Sequence, residues 1–231
     1  MFRLICLVIG YCIGCIETAH LVGKLWKVDL RKHGSGNLGT TNTLRVLGKK
    51  AGAIVFIGDI LKSVIAFMLC RAIFADHGTV AGLCGSAGAV LGHNFPFYLN
   101  FKGGKGIAVT IGMTAALAFT TNPLLAIPNA LIGFGLAFGT RYVSVGSLAF
   151  SVCLPISCYL LGYEREIVLI TLCVSLMAIW RHRKNIKNLL NGTENRFGPR
   201  RNKTGGHSDE KGNSHWFRQL GYSPCSNAGK K

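Results

Sequence analysis

Residues 34–45 read Gly34-Ser35-Gly36-Asn37-Leu38-Gly39-Thr40-Thr41-Asn42-Thr43-Leu44-Arg45, with apolar runs on both sides. Backbone amides of a glycine turn, short hydroxyl and amide side chains, and a guanidinium are groups that solvate a cluster of phosphate oxygens. Beside lipid, that combination points to chemistry on a phospholipid or a phosphorylated metabolite. Three further polar clusters share the character. The second runs from Gly92-His93-Asn94-Phe95-Pro96 to Phe101-Lys102-Gly103-Gly104-Lys105-Gly106, ahead of a helix expected from Ile107. There, amides and a positive helix end add to two ammonium groups. The third is Thr140-Arg141-Tyr142-Val143-Ser144. The fourth is Arg181-His182-Arg183-Lys184-Asn185, on a helix expected to end near Gly192, followed by Thr193-Glu194-Asn195-Arg196-Phe197. His182 and Asn185 share a helical face with Ile186 and Leu189, so they look inward together. For His182, a satisfied core residue and a residue of the chemistry are equally open readings.

Other motif matches fail on context. Gly34-x-Gly36-x-x-Gly39, with Asp59 downstream, has the form of a dinucleotide fingerprint, but that turn needs a preceding strand and Asp59 falls inside an apolar helix. Lys102-Gly103-Gly104-Lys105-Gly106 lacks the P-loop spacing. Asp59 and Lys62 are expected as a structural ion pair orienting the first loop, because each unpaired charge would cost about 2.5–3.5 kcal/mol at mid-bilayer. Cys12-x-x-Cys15 is unaccompanied by a His or a second such pair, and eight of the nine cysteines lie in or beside apolar runs. They read as small buried hydrophobes, with no disulfide, metal or cofactor expected.

The elements that must position these clusters are membrane helices. Hydrophobic residues make up 49% of the 231, charged residues 15%, and the mean hydropathy is +0.37. The chain is therefore expected to be an all-α polytopic membrane protein. Apolar runs long enough for a core of ~30 Å lie at 3–24, 51–75, 79–99, 143–161 and 165–181. The stretch 107–138 splits at Asn122-Pro123 into two short helices, for about seven spans in all. Gly162 to Glu166 is a polar break that favours seven over five. Gly10-x-x-x-Gly14 and Gly88-x-x-x-Gly92 are faces for close helix packing. The first run, with one basic residue and no small-x-small cleavage pattern, is expected to be a retained span.

Charge then sets the orientation. One face collects Lys24, Lys27, Arg31, Lys32, Arg45, Lys49, Lys50, Lys102, Lys105 and Arg141, together with the twelve Lys and Arg from Arg181 onward. The other face holds Arg3, Arg71 and Arg165 beside Asp76, Glu164 and Glu166. The N-terminus is expected outside and the C-terminus in the cytoplasm. All four polar clusters fall on the basic face. The formal charge of +17 is divided among short loops and a tail and lacks aromatic interleaving, which excludes a nucleic-acid binder. Residues 1–198 form the membrane domain, and the basic tail 199–231 is expected to be disordered.

At these residues the chain resembles the acyl-phosphate:glycerol-3-phosphate acyltransferase family, PlsY. The resemblance rests on Ser35-Gly36-Asn37 to Arg45, Gly92-His93-x-Phe95-Pro96 to Gly106, Arg141-Tyr142-Val143-Ser144, and His182-Arg183-x-Asn185-Ile186 to Gly192-x-Glu194, in order over roughly residues 5–198. Thr40 departs from the alanine common in the family. The resemblance implies a seven-helix enzyme of the bacterial inner membrane with its active site facing the cytoplasm. That enzyme transfers a fatty acyl group from acyl phosphate to the 1-hydroxyl of glycerol 3-phosphate, giving lysophosphatidic acid and phosphate. Membrane lipids and the enzyme that makes acyl phosphate are the implied further partners. Carried over by position, the catalytic set is His182, Asn185, Ser35 and Lys105. The expected substrate-binding set is Gly36, Asn37, Thr41, Asn42, Arg45, His93, Lys102, Gly103, Gly104, Arg141, Ser144 and Glu194. No nucleophile triad and no His-x4-Asp is present, so direct attack on the activated donor is expected. A transporter of anionic metabolites is the competing class, and inverted repeats, its sequence mark, are not found.

Overall fold

The computed structural model describes residues 1–196, so the expected disordered tail 199–231 and the domain boundary at 198 lie outside the described residues. The described residues are helical, with no strand among them. The helices are α1 (Phe2–Gly14), α2 (Thr18–Leu25), α3 (Thr40–Ile73), α4 (Gly78–Asn94), α5 (Ile107–Thr120), α6 (Ala126–Thr140), α7 (Val143–Leu160), α8 (Arg165–Arg181) and α9 (Arg183–Leu190). Four segments, Phe2–Leu25, Thr40–Ile73, Pro123–Thr140 and Val143–Leu160, are long and apolar enough to cross a bilayer.

The helices are inverted relative to those of a water-soluble protein. On α3, Ile54, Ile57, Leu61 and Ile65 recur at helical spacing and are exposed, whereas Val55, Asp59, Lys62, Ser63 and Phe67 face inward. An outward apolar stripe over an inward polar one fits lipid as the surrounding solvent. The core is built from Phe67, Leu83, Val90, Val109, Met113, Leu117 and Leu154.

Small residues let α1 and α4 touch backbone to backbone. A Cβ on Gly10 would lie 1.8 Å from the Gly85 carbonyl oxygen, and one on Gly88 would lie 2.3 Å from that of Leu7. Both Gly-x-x-x-Gly faces are thus packing faces, as their spacing predicts. The breaks at Asn122-Pro123 and after Gly162 are also present. Asn122 Oδ1 accepts from the Leu124 amide at 3.0 Å, and Gly162 adopts φ +73°.

Other boundaries differ from expectation. The run 3–24 is two helices, because Glu17 is extended and its side chain is buried in a charged cluster. α3 begins at Thr40 rather than near 51, so Thr41, Asn42 and Arg45 sit on a helix, with a kink at Gly48 (φ 85°). α4 stops at Asn94 rather than 99, since Phe95 precedes a proline and leaves the helical region. Helix geometry breaks at His182, between α8 and α9.

Alternating helix directions bring the ends of α4, α6 and α8 together with the starts of α3, α5 and α7. At the opposite end Arg3 forks onto Glu166, with Nη2 2.8 Å from Oε2, joining the starts of α1 and α8.

Candidate active site

A cavity of about 880 Å³ opens where those helix ends meet. Ser35, Gly36, Asn37, Thr41, Asn42, Arg45, His93, Lys102, Gly103, Lys105, Ser144, His182, Asn185 and Glu194 line it. The four polar clusters, far apart in sequence, share one wall. Gly104 and Arg141 are not in that wall. Arg141 closes α6 in the left-handed region (φ 63°) and is exposed beside the cavity rather than in it.

The first cluster is a loop organised by one side chain. Asn42 Oδ1 accepts from the Ser35 amide at 2.8 Å, and its Nδ2 donates to the carbonyls of Leu30 and His33, both at 3.1 Å. Asn42 therefore holds the loop, with its polar atoms already engaged, instead of offering them to a ligand. The Gly36 amide is likewise used, donating to the His33 carbonyl at 3.0 Å. The groups suited to an anion lie instead at the start of α3, whose cap Gly39 supplies no side chain. α5 and α7 also begin at this wall without side-chain caps. Three positive helix ends thus converge on one space.

The second cluster folds back on α4. The amides of Gly103 and Gly104 donate to the carbonyls of Asn94 and His93, at 3.2 and 3.0 Å, so neither glycine has its amide left for a phosphate. His93 borders the cavity, and its Nδ1 is 2.9 Å from Lys62 Nζ and 3.2 Å from Glu17 Oε1, so that ring nitrogen is engaged by the protein. The expected Asp59–Lys62 pair is present at 3.0 Å, both side chains buried. Glu17, the fourth member of this cluster, lies inside the run expected as one span, and its partners, distant in the sequence, were not legible there.

Lys105 is a buried cation of the cavity lining. Its Nζ donates to Asn185 Oδ1 at 2.5 Å, and Asn185 Nδ2 donates to Glu194 Oε1 at 2.7 Å. Glu194 thereby orients Asn185, which orients Lys105. Burial pushes the Lys105 ammonium down to about 8. Glu194 opposes that shift, and Arg181, Arg45 and Lys184 add to it. His182 is pushed down to about 4, first by burial and then by the Lys105 charge. Its Nδ1 lies 2.8 Å from the Ala178 carbonyl, which can only accept, so the neutral ring carries its proton on Nδ1. The Nε2 lone pair is then the basic position. Ser144 is buried, and its hydroxyl has no hydrogen-bond partner among the described residues; the same holds for the buried Thr40 hydroxyl. Each leaves a desolvated donor at the cavity.

Apolar residues also line the cavity. Phe56 of α3, Ile107 and Ile111 of α5, Phe134 and Phe138 of α6 and Phe150 of α7 line a slot. Gly133 and Gly146 let α6 and α7 close tightly, since a Cβ on Gly146 would lie 2.2 Å from the Gly133 carbonyl oxygen. Sequence reasoning missed this lining, because its residues are ordinary membrane-helix residues until the fold brings them together.

The sequence profile of the family described as Glycerol-3-phosphate acyltransferase matches residues 4–192. Similar proteins named glycerol-3-phosphate acyltransferase occur in Alkaliphilus metalliredigens (43% identical over 199 residues) and Halalkalibacterium halodurans (42% over 205). Each alignment covers 86% of this chain and 97% of the relative. Two crystal structures of PlsY (YgiH), an integral membrane glycerol 3-phosphate acyltransferase, superpose on this fold. The glycerol 3-phosphate form gives a TM-score of 0.78 at 35% identity, covering 85% of this chain and 96% of that one. The lysophosphatidic acid form gives 0.76 at 34% identity, covering 85% and 95%.

Proposed function

This chain belongs to the glycerol-3-phosphate acyltransferase family, and on that premise we propose that it transfers a fatty acyl group from acyl phosphate to the 1-hydroxyl of glycerol 3-phosphate. The products are lysophosphatidic acid and inorganic phosphate. The observation that carries this reading is a single cavity lined both by cations and uncapped helix starts and by apolar side chains. Such a cavity suits a substrate pair with two phosphates and one fatty chain.

Arg45 and Lys105, with the starts of α3 and α5, neutralise the phosphates. Phe56, Ile111, Phe134 and Phe150 receive the acyl chain. Ser35, Ser144 and Asn185 fix the reacting groups, where each well-aimed donor to the developing oxyanion lowers the barrier by about 2.7–4 kcal/mol. The glycerol oxygen bonds to the acyl carbon, the bond from that carbon to the bridging phosphate oxygen breaks, and phosphate leaves with the electron pair. The hydroxyl proton needs an acceptor. The second pKa of a phosphate lies near ~6, against about 4 for His182. With His182 held low by burial and the Lys105 charge, the departing phosphate takes the proton and His182 Nε2 serves to orient the hydroxyl. His182→Ala abolishing turnover without weakening binding would reverse that assignment.

The proposal includes about seven spans, with the N-terminus outside and the cavity facing the cytoplasm of a bacterial inner membrane. The gathering of Lys and Arg at the cavity end supports it. The test is purified protein with palmitoyl phosphate and labelled glycerol 3-phosphate, which is expected to yield labelled lysophosphatidic acid. Palmitoyl thioesters of coenzyme A and of acyl carrier protein run in parallel. Product from a thioester and none from palmitoyl phosphate would remove the donor assignment and leave the family reaction standing.

A further inference from the structure

The Gly103-Gly104 strap that carries Lys105 is held from two sides. Both of its amides point back to the end of α4, and both of its carbonyls accept from one guanidinium. Arg181 Nη2 donates to the Gly103 carbonyl at 2.9 Å and to that of Gly104 at 2.6 Å, while Nε donates to Gly104 at 3.1 Å. The guanidinium carbon lies 5.1 Å from the centre of the Phe95 ring. On the other side the strap rests on His93 and Glu17. A Cβ on Gly104 would lie 2.1 Å from His93 Nε2, and one on Gly103 would lie 3.1 Å from Glu17 Oε1. Glu17 is fully buried with Oε1 3.2 Å from His93 Nδ1, and its negative field reaches the Arg181 guanidinium.

Resting on the acyltransferase reading, we propose that Arg181 is a positioning residue that clamps the Gly103-Gly104 strap onto the buried Glu17–His93 pair, so that Lys105 meets the substrate phosphate at a fixed angle. The fork is what the role requires. A guanidinium presents parallel donors to two successive carbonyls, whereas an ammonium on a flexible stem holds one at a time. A strap left free by a fraction of its length misplaces the ammonium, and an error of about 1 Å in a positioned group costs on the order of 100-fold in rate.

The test compares Arg181→Lys and Arg181→Ala with the wild-type protein in two measurements. The first is kcat/KM for lysophosphatidic acid formation. The second, made without substrate, is the pH midpoint at which the Lys105 amine becomes reactive toward a lysine acylating reagent, read by peptide mass spectrometry. Arg181→Lys keeps the charge and most of the stem, so it folds even if Arg181→Ala does not. It is expected to lose at least about tenfold in kcat/KM and to raise the Lys105 midpoint by about one pH unit or more, as the freed amine regains water. Added guanidinium ion restores Arg181→Ala, and methylammonium does not. Wild-type values of either quantity in Arg181→Lys overturn the clamp, because charge alone would then suffice. A wild-type protein that makes no lysophosphatidic acid overturns the acyltransferase reading instead, and the labelling midpoint still decides the clamp.

Discussion

Lys105 gives the sharpest test of the electrostatic reasoning. Its ammonium is pushed from an ordinary 10.5 to about 8 by burial in the cavity. At about 1.36 kcal/mol per pH unit, the site disfavours that charge by roughly 3.4 kcal/mol. A bound phosphate that restores the ordinary value recovers this amount, which corresponds to a factor of about 300 in affinity at neutral pH. The sign follows from the lowered value. Below about 8 the amine is charged and ready. Above it the free enzyme loses the charge, and kcat/KM falls about tenfold per pH unit, while the phosphate substrates keep a constant charge above ~7. For the same reason Lys105 withholds stability: the unfolded chain binds its proton below 10.5 and the folded site does so only below about 8. The assay is kcat/KM from pH 6.5 to pH 10 for the wild-type protein, Lys105→Gln and Lys105→Arg (about three to four units of range suffice to see both limbs). Lys105→Gln is expected to lose roughly 300-fold at pH 7 and to have no alkaline limb. Lys105→Arg, charged throughout, also lacks the limb, although its fork fits Asn185 poorly. A flat wild-type profile to pH 9.5, or an unchanged limb in Lys105→Arg, refutes the argument.

Further outcomes follow from single contacts. Ser144→Ala removes a buried hydroxyl that has no partner among the described residues, so the thermal midpoint should hold or rise while kcat falls by about 10²–10³. A fall in the midpoint would show the hydroxyl to be structural. Glu194→Ala frees Asn185 from its 2.7 Å hydrogen bond and should cost about 1–2 kcal/mol in kcat/KM, with Glu194→Gln recovering most of it through its amide oxygen. Gly88→Val places carbon 2.3 Å from the Leu7 carbonyl oxygen and should lower stability by more than about 3 kcal/mol, seen as loss of folded protein in a detergent-melting assay. Activity retained at the wild-type melting point would mean that α1 and α4 do not pack this closely.

Much of this protein could be read before its fold was known, and the reasons are local. Runs of apolar residues interrupted by Asn122-Pro123 and Gly162 locate helices and breaks, because those residues act on their own backbone. The phosphate-suited composition of the four clusters is likewise a property of residue types. Roles within the clusters were less legible. Asn42, Gly103, Gly104 and the Nδ1 of His93 have the right chemistry for a ligand and spend it on the protein itself. Arg181, which reads as one more interfacial cation, instead holds two carbonyls of a segment 77 residues away.

The amino-acid sequence by itself determined the class, most of the apolar helices and their breaks, the family and the kind of ligand, since hydropathy, breaker residues and basic glycine-rich motifs depend on neighbours along the chain. Tertiary structure alone decided which polar atoms remain available. A hydrogen-bonding group is spent or free according to what lies within about 3 Å, and at this site those neighbours come from α3, α4, α5, α8 and α9. The apolar slot, the Lys105–Asn185–Glu194 chain and the buried Glu17 all arise from helix ends meeting at one end of the bundle.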